Sequence, residues 1–412
     1  MDNDNRFVTG LDVGTENVRA VIASVSKEGK DGKIAIVGVS EGKSAGMRKG
    51  IPANLAGPAG AIDKMLGDAE RMGGYDVRSA YVSINGSTVI STHTEGMIAV
   101  GNSEHEISVE DLDRVEDVAV SGRIPANRDV LDVIPLEYAL DGQAGIKDPL
   151  GMSGARLEMR ANVISALTPN CDNLKKATAT ADVQALRLVP TAVAAARAVL
   201  TDRQKENGVA VIDFGATTTS IAVYEEGDLQ YVGVVPIGSN NITNDLAIVL
   251  AIAPDLAEEI KTRFITGNFN TEKSPAIKVG KHGERTFDRK EVEDVVKARL
   301  EEIFSEVRKK LKSARYDQRL PEGIVMTGGG AKMRDIELFA SKCLEAAVKI
   351  GVPSGLDGVS AAVEKPEFAV AVGLALIAAE EVDYRPSPNK KSKKLKQKSE
   401  NSNFLKKIFS KF

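Results

Sequence analysis

An α/β fold in two lobes is predicted by three observations. Apolar β runs alternate with a helix-length segment over residues 6 to 84, and the same alternation begins again at residue 205. Each stretch contains a β hairpin with an Asp-x-Gly turn: Gly10-Leu11-Asp12-Val13-Gly14-Thr15-Glu16-Asn17 in the first, Val211-Ile212-Asp213-Phe214-Gly215-Ala216-Thr217-Thr218 in the second. The segment between them, residues 85 to 165, has a helix and strands of its own and reads as an inserted module.

Taken in order, strands are expected at Phe7 to Ile22, Ile34 to Val39 and Ala80 to Ile84, with a helix near Pro52 to Met72. The insert places a helix at Val109 to Ala119. Two helices are expected from Asn170 to Leu200, the second opening Pro190-Thr191-Ala192-Val193-Ala194-Ala195-Ala196, whose small residues allow close helix packing. After the second hairpin, residues 245 to 315 contain two helical stretches flanking a Gly/Lys-rich loop, Gly267 to Gly283. The sheet resumes at Gly323-Ile324-Val325-Met326 and runs into Thr327-Gly328-Gly329-Gly330-Ala331-Lys332, with a helix from about Arg334 to Lys349 and a last one near Phe368 to Glu380.

The hairpin chemistry suits a nucleotide. Glycine lets the backbone approach a phosphate, turn N–H groups and hydroxyls donate to its oxygens, and an Asp can hold hydrated Mg²⁺. A single such turn is explained equally well as a tight connection between strands. Two facing each other form a clamp, and the Gly328-Gly329-Gly330 turn adds backbone donors for a phosphate or for ribose and base. No G-x-G-x-x-G is present, and Gly38 stands one residue too close to Gly42-Lys43-Ser44 for a Walker A loop.

With 412 residues and 42% hydrophobic content, the chain can build full cores in two or more domains. Cys171 and Cys343 have no CxxC or His partners, which points to buried thiols in a reducing compartment rather than a disulfide framework or zinc. Neither a signal-peptide pattern nor an apolar run of about 18 residues occurs, so a cytosolic protein without a membrane span is expected.

Net charge is −4, yet Arg385 to Phe412 carries 10 Lys/Arg against one acid, Glu400. The tail is therefore suited to an anionic surface, while the acidic body argues against nucleic acid. Residues 385 to 401 read as a disordered basic linker. In residues 402 to 412, Phe404, Leu405, Ile408, Phe409 and Phe412 fall within an arc of about 140°, and Lys406, Lys407, Ser410 and Lys411 fill the rest. That is a basic amphipathic helix, capped by Ser402 or Asn403, of the kind that lies in a membrane interface.

The two hairpins, the glycine turn and the small-residue helices at Pro190 to Arg197 and Ala369 to Ala378 resemble the actin, Hsp70 and sugar kinase superfamily. Within it, Ile134-Pro135-Leu136-Glu137-Tyr138-Ala139-Leu140-Asp141-Gly142-Gln143, Ile146-Lys147-Asp148-Pro149-Leu150-Gly151-Met152-Ser153-Gly154-Ala155-Arg156-Leu157 and Ser44-Ala45-Gly46-Met47-Arg48-Lys49-Gly50-Ile51 resemble the bacterial cell-division family FtsA.

The resemblance implies an actin-like ATPase fold with four subdomains. These are 1A (residues 1–84, 167–204 and 361–384), the insert 1C (85–166), 2A (205–244 and 316–360) and 2B (245–315). It implies that ATP and Mg²⁺ are held by Asp12, Gly14, Thr15 and Asn17 on one side and by Asp213, Gly215, Thr217 and Thr218 on the other, the two Asp reaching the metal through water. Gly238 and Ser239 match a further phosphate turn, Glu258 and Lys261 an adenosine-lining helix, and Gly328, Gly329, Gly330 and Lys332 the adenosine turn. Where relatives place an acid or amide before the Pro of the first connecting helix, this chain has Val189, which cannot polarise water, so slow hydrolysis or none is expected.

The implied function is a peripheral scaffold on the cytoplasmic face of the membrane at the division site. It would tether FtsZ through that protein's C-terminal peptide, self-assemble into filaments and recruit later division proteins. Arg299 and Glu302 are the candidate FtsZ contacts, and residues 404 to 412 the contact with anionic lipid. The rival readings are an actin-like pilus or secretion platform component and a small-molecule kinase.

Overall fold

The computed structural model describes residues 6–26, 34–101, 106–269, 276–279, 285–316 and 319–384. The basic linker and the amphipathic segment that closes the sequence lie outside them.

The chain opens with strands β1 (Arg6–Val13) and β2 (Asn17–Val25), antiparallel from Arg6 opposite Val25 to Val13 opposite Val18. Both are buried along most of their length, as strands covered on both faces must be, which explains their unbroken apolar sequence. β3 (Ile34–Lys43) runs past the expected end at Val39, and the two-residue strands β4 (Met47–Arg48) and β5 (Ile51–Pro52) follow. Helix α1 (Ala56–Gly73) buries Ile62, Met65, Leu66 and Ala69, one face at helical spacing, and β6 (Ser79–Ile84) lies parallel to β1.

The insert folds as β7 (Ile90–Ala99), α2 (Val109–Val120), β8 (Arg128–Leu140), β9 (Gln143–Ile146) and β10 (Arg156–Leu167). Its strands form a separate sheet in the order β7-β10-β8-β9 around a small core that includes Ile98, Leu112, Val115, Tyr138, Leu157 and Met159. Ser108 and Asp111 form a capping box that starts α2 where the sequence places it.

Then come α3 (Thr168–Thr180), β11 (Gln184–Pro190) and α4 (Thr191–Val199). The strand β11 was not expected. Ala185, Leu186 and Arg187 are good helix formers, and tertiary pairing with β6 overrides that propensity. After α5 (Asp202–Asn207), the second lobe contains β12 (Val209–Phe214), β13 (Thr219–Glu225), β14 (Asp228–Val235), α6 (Ser239–Val249), α7 (Pro254–Phe264), the hairpin β15 (Ile277–Val279) and β16 (Arg285–Phe287), and α8 (Arg289–Ser313).

β17 (Ile324–Thr327), a 3₁₀ turn at Gly329–Lys332, α9 (Ile336–Leu344), β18 (Val348–Ile350), β19 (Asp357–Gly358) and α10 (Ala369–Tyr384) complete the described chain. Two expectations are corrected here. The Gly/Lys-rich loop contains the strand β15, which pairs with β16 just beyond the loop's expected end, and the helix expected from Arg334 to Lys349 is shorter at both ends. Asp335 and Glu345, both left-handed, bound α9, and residues 348 to 350 join the sheet.

The first lobe's sheet has the order β11-β6-β1-β2-β3-β19 and the second lobe's β14-β13-β12-β17-β18. Each has its own core. The insert is bound to both. Arg187 links Asp132 of β8 (2.9 Å) to Glu381 of α10 (2.6 Å). Lys147 pairs with Asp228 (2.6 Å), Asn162 donates to the Leu229 carbonyl (2.8 Å), His93 Nε2 meets the Gln230 carbonyl (2.9 Å), and Val232 N–H donates to Ser91 Oγ (2.5 Å). These contacts cover the edge strand β14 of the second lobe.

α10 packs against α4 and β1 so closely that a Cβ at Gly373 would overlap the Ala194 carbonyl. Gly373→Ala should therefore destabilise the fold by about 1–3 kcal/mol, against the roughly 1 kcal/mol that helix propensity alone favours Ala. Gly60 of α1 has open space around it, so Gly60→Ala should instead stabilise. Urea unfolding of the two variants checks the opposite signs.

Candidate functional site

Each hairpin turn closes in the same way. Gly14 N–H donates to the Asn17 carbonyl (3.1 Å), and Gly215 N–H donates to the Thr218 carbonyl (2.9 Å). The turns come from different lobes and meet, with Thr15 and Thr217 hydroxyls 2.9 Å apart. Beneath them runs a chain of short polar side chains. Thr191 Oγ1 bonds Ser220 Oγ (3.1 Å), Ser220 Oγ bonds Asn85 Oδ1 (3.0 Å), and Asn85 Nδ2 donates to Thr218 Oγ1 (3.0 Å).

Asp12 and Asp213 stand at the ends of β1 and β12, both buried. Asp12 accepts from Ser83 Oγ (2.9 Å) and lies 3.8 Å from Arg19 Nη1. Burial raises its pKa, against the opposing pull of Arg19 and Ser83. The Asp213 carboxyl is pushed up to about 7 by burial first and by the Asp12 charge second, with Arg19 and the Thr191 hydroxyl acting the other way. Two buried carboxylates sharing one guanidinium fit a hydrated Mg²⁺, which takes one or two carboxylates and completes its octahedron with water and phosphate. Among the described residues no three His, Cys, Asp or Glu side chains converge to make an all-protein cage.

The glycine turn packs on the second hairpin. Gly328 has φ +89°, and a Cβ there would strike the Asp213 carboxylate, so only glycine fits. Gly330 presses on the Phe214 ring, and Gly329 borders open space. The turn is a 3₁₀ segment, not the start of α9, which corrects the expected helix-terminus donors. Lys332 pairs with the buried Glu367 (2.7 Å).

Gly238 and Ser239 open α6 against the same hairpin, Ser239 N–H donating to the Gly215 carbonyl (2.9 Å) and Asn240 N–H to the Ala216 carbonyl (2.7 Å). On α7, Lys261 is 6% exposed and bonds Glu258 (2.6 Å), Thr243 Oγ1 (2.8 Å) and the Ser239 carbonyl (3.3 Å). Burial lowers the Lys261 pKa, with Glu258 opposing.

The remaining candidates stand elsewhere. Arg299 and Glu302 lie on α8 beside a groove of about 300 Å³ between α6 and α8, lined by Asp245, Ile248, Val249, Val295 and Ala298. Arg299 is not the exposed charge of a long helix. It is half-buried and bidentate to Asp245 (2.5 and 3.0 Å), with a third bond to Glu302 (2.5 Å). Val189 is buried at the end of β11. Of the two thiols, Cys171 is buried and Cys343 only partly so.

Sequence reasoning missed Glu16, Lys43, Ser83, Asn85, Thr191 and Asn240. Ser83 and Asn85 had a signal: they follow from β6 lying parallel to β1, since ligand groups collect at the carboxyl ends of parallel strands. Glu16 lies in the first hairpin itself, and the others arrive from separate elements.

Two lobes, each a sheet opening on an Asp hairpin, with the two hairpin turns in contact, define a protein of the actin-like fold. The fold is shared with the solved PilM-PilN type IV pilus biogenesis complex (TM-score 0.65, 20% identity, 90% of this chain and 98% of that one) and with MreB5 of Spiroplasma citri bound to ADP (TM-score 0.55, 14% identity, 92% and 99%). A family model described as cell division protein FtsA matches residues 210–373, and one described as the SHS2 domain inserted in FtsA matches residues 86–165. The cell division proteins FtsA of Pseudomonas aeruginosa (32% identical, 90% of this chain and 89% of that one) and Escherichia coli strain K12 (31%, 90% and 90%) are similar along almost the whole length. The chain belongs to the FtsA family of cell-division proteins.

Proposed function

We propose that this chain is an ATP-binding, self-assembling scaffold that ties FtsZ filaments to the cytoplasmic face of the membrane at the division site and recruits later division proteins. The observation that carries the reading is the meeting of the two Asp hairpins from opposite lobes, Thr15 against Thr217. Gly14, Thr15 and Asn17 would cradle the ATP phosphates from one lobe, and Gly215, Thr217, Thr218, Gly238 and Ser239 from the other. Asp12 and Asp213 would hold Mg²⁺ through water, and Glu258, Lys261 and the Gly328–Gly330 turn would border the adenosine. With Val189 buried and apolar where a water-orienting group would stand, bound ATP acts by holding the lobes together rather than by rapid turnover.

The groove beside α8 suits a peptide with both apolar and charged groups. Ile248 is 76% exposed on its rim and Arg299 lies at its edge. We assign the FtsZ C-terminal peptide to this groove. Arg299→Ala should weaken binding of that peptide about fivefold or more, read by fluorescence anisotropy, because it removes a half-buried guanidinium and leaves Asp245 without its partner. Unchanged affinity would move the docking site elsewhere. Among the described residues no helix is long and apolar enough to cross a membrane, and the proposed attachment is the basic amphipathic segment at residues 402 to 412.

A further inference from the structure

We propose that Glu16 is an internal stand-in for a nucleotide phosphate, holding donors that a phosphate entering between the hairpins must take from it. The inference rests on the nucleotide reading above and concerns how the same cleft is regulated.

Glu16 sits at the tip of the first hairpin, between Thr15, which touches the opposite lobe, and Asn17, whose carbonyl closes the turn. Its carboxylate is shared between two donors on different lobes. Oε1 accepts from Lys43 Nζ at the end of β3 (2.5 Å), and Oε2 accepts from Asn240 Nδ2 in the first turn of α6 (2.9 Å). Lys261 of α7 adds a second positive charge from farther off. Helix α6 has no acidic residue in its own first turn, so Glu16 supplies the negative charge that the positive end of that helix favours.

An exposed Lys–Glu pair is worth little by itself, and Lys43 is mostly exposed. The distinguishing feature is that Glu16 joins the lobes across the cleft, beside the Thr15–Thr217 contact. A phosphate between the hairpins meets a carboxylate already there. It must displace Glu16 from Asn240 and Lys43 and then share the cleft with that charge. Glu16 thus lowers the affinity for phosphate-bearing ligands, ties the two lobes to each other through Lys43 and Asn240, and has no such effect on a ligand without phosphate.

The test is isothermal titration of the full chain and of Glu16→Gln with MgATP and, separately, with adenosine. Gln keeps the shape and removes the charge. The expected result is MgATP binding about two- to fivefold tighter in E16Q, with adenosine affinity unchanged. MgATP binding that is unchanged or weaker in E16Q, while the wild type binds, overturns the stand-in and leaves the nucleotide reading in place. Equal tightening for adenosine also overturns it, since the effect would then be structural. Failure of both proteins to bind MgATP overturns the nucleotide reading and the inference with it.

Discussion

Replacing Asp213 with Asn should stabilise the ligand-free protein at neutral and higher pH while removing its binding of MgATP. Both effects have one physical cause. The Asp213 carboxyl is buried beside Asp12, and its pKa is raised from 3.8 to about 7. In the unfolded chain it ionises near its ordinary value, so between about pH 4 and 7 the folded state binds a proton that the unfolded state does not. Stability therefore falls as pH rises through that window, and the full cost of ionising the buried group is present above pH 7. Asparagine cannot ionise and escapes the cost, which is on the order of a few kcal/mol.

The same charge is what a cation needs. Mg²⁺ favours the ionised carboxylate, so MgATP binding should release a proton and strengthen as pH rises toward about 7, then level off. In Asp213→Asn both the pH dependence and most of the affinity should vanish, a loss of about tenfold or more. Urea unfolding at pH 5.5 and pH 8 with titration of MgATP at both measures the pair of effects. Wild-type MgATP affinity in the Asn variant would show that Asp213 holds no metal. A variant no more stable than the wild type at pH 8 would show that burial does not strain the carboxylate.

Why the site was only partly legible follows from where its parts originate. The hairpins could be read because their chemistry is local: strand, Asp, glycine turn and hydroxyl all fall within a few residues, and the pattern occurs twice. The partners that complete the site come from other elements. Ser83 lies near the end of β6 and Asn85 just past it, Thr191 opens α4, Lys43 ends β3, and Asn240 lies in the first turn of α6. No spacing rule connects residues 16 and 240, so only the packing of one lobe on the other brings them together.

In the fold, the long buried strands and the apolar face of α1 were legible from their patterns. β11 was not, because Ala-Leu-Arg is locally helical and only the parallel pairing with β6 makes it a strand. The ends of α9 were hidden for a different reason. At the C-terminal end Glu345 adopts left-handed backbone where a sequence reading looks for glycine, and at the N-terminal end Asp335 is left-handed and its side chain caps no helix N–H. Arg299 looked like a solvated charge because Asp245, its partner, is on another helix.

Truncation after Asn401 should abolish co-sedimentation with anionic liposomes in MgATP while leaving the folded body intact. Wound as a helix, the removed segment would carry five apolar side chains on one face and lysines on the other. Each apolar side chain is worth roughly 1.5–3 kcal/mol at most when buried, and each lysine near an anionic leaflet roughly 1 kcal/mol. Ordering the helix subtracts from that sum, leaving a moderate, reversible anchor for one molecule. Truncation should weaken association by about a hundredfold or more, corresponding to roughly 3 kcal/mol. Raising salt or using neutral lipid should weaken the full chain's binding as well, because the lysine contribution is screened or lost. Many tails on one filament multiply the attachment without any new contact, so assembly and membrane binding should reinforce each other. If the full chain stays in the supernatant, the proposed membrane attachment fails; if the truncated and full chains pellet equally, the terminal segment is not the anchor.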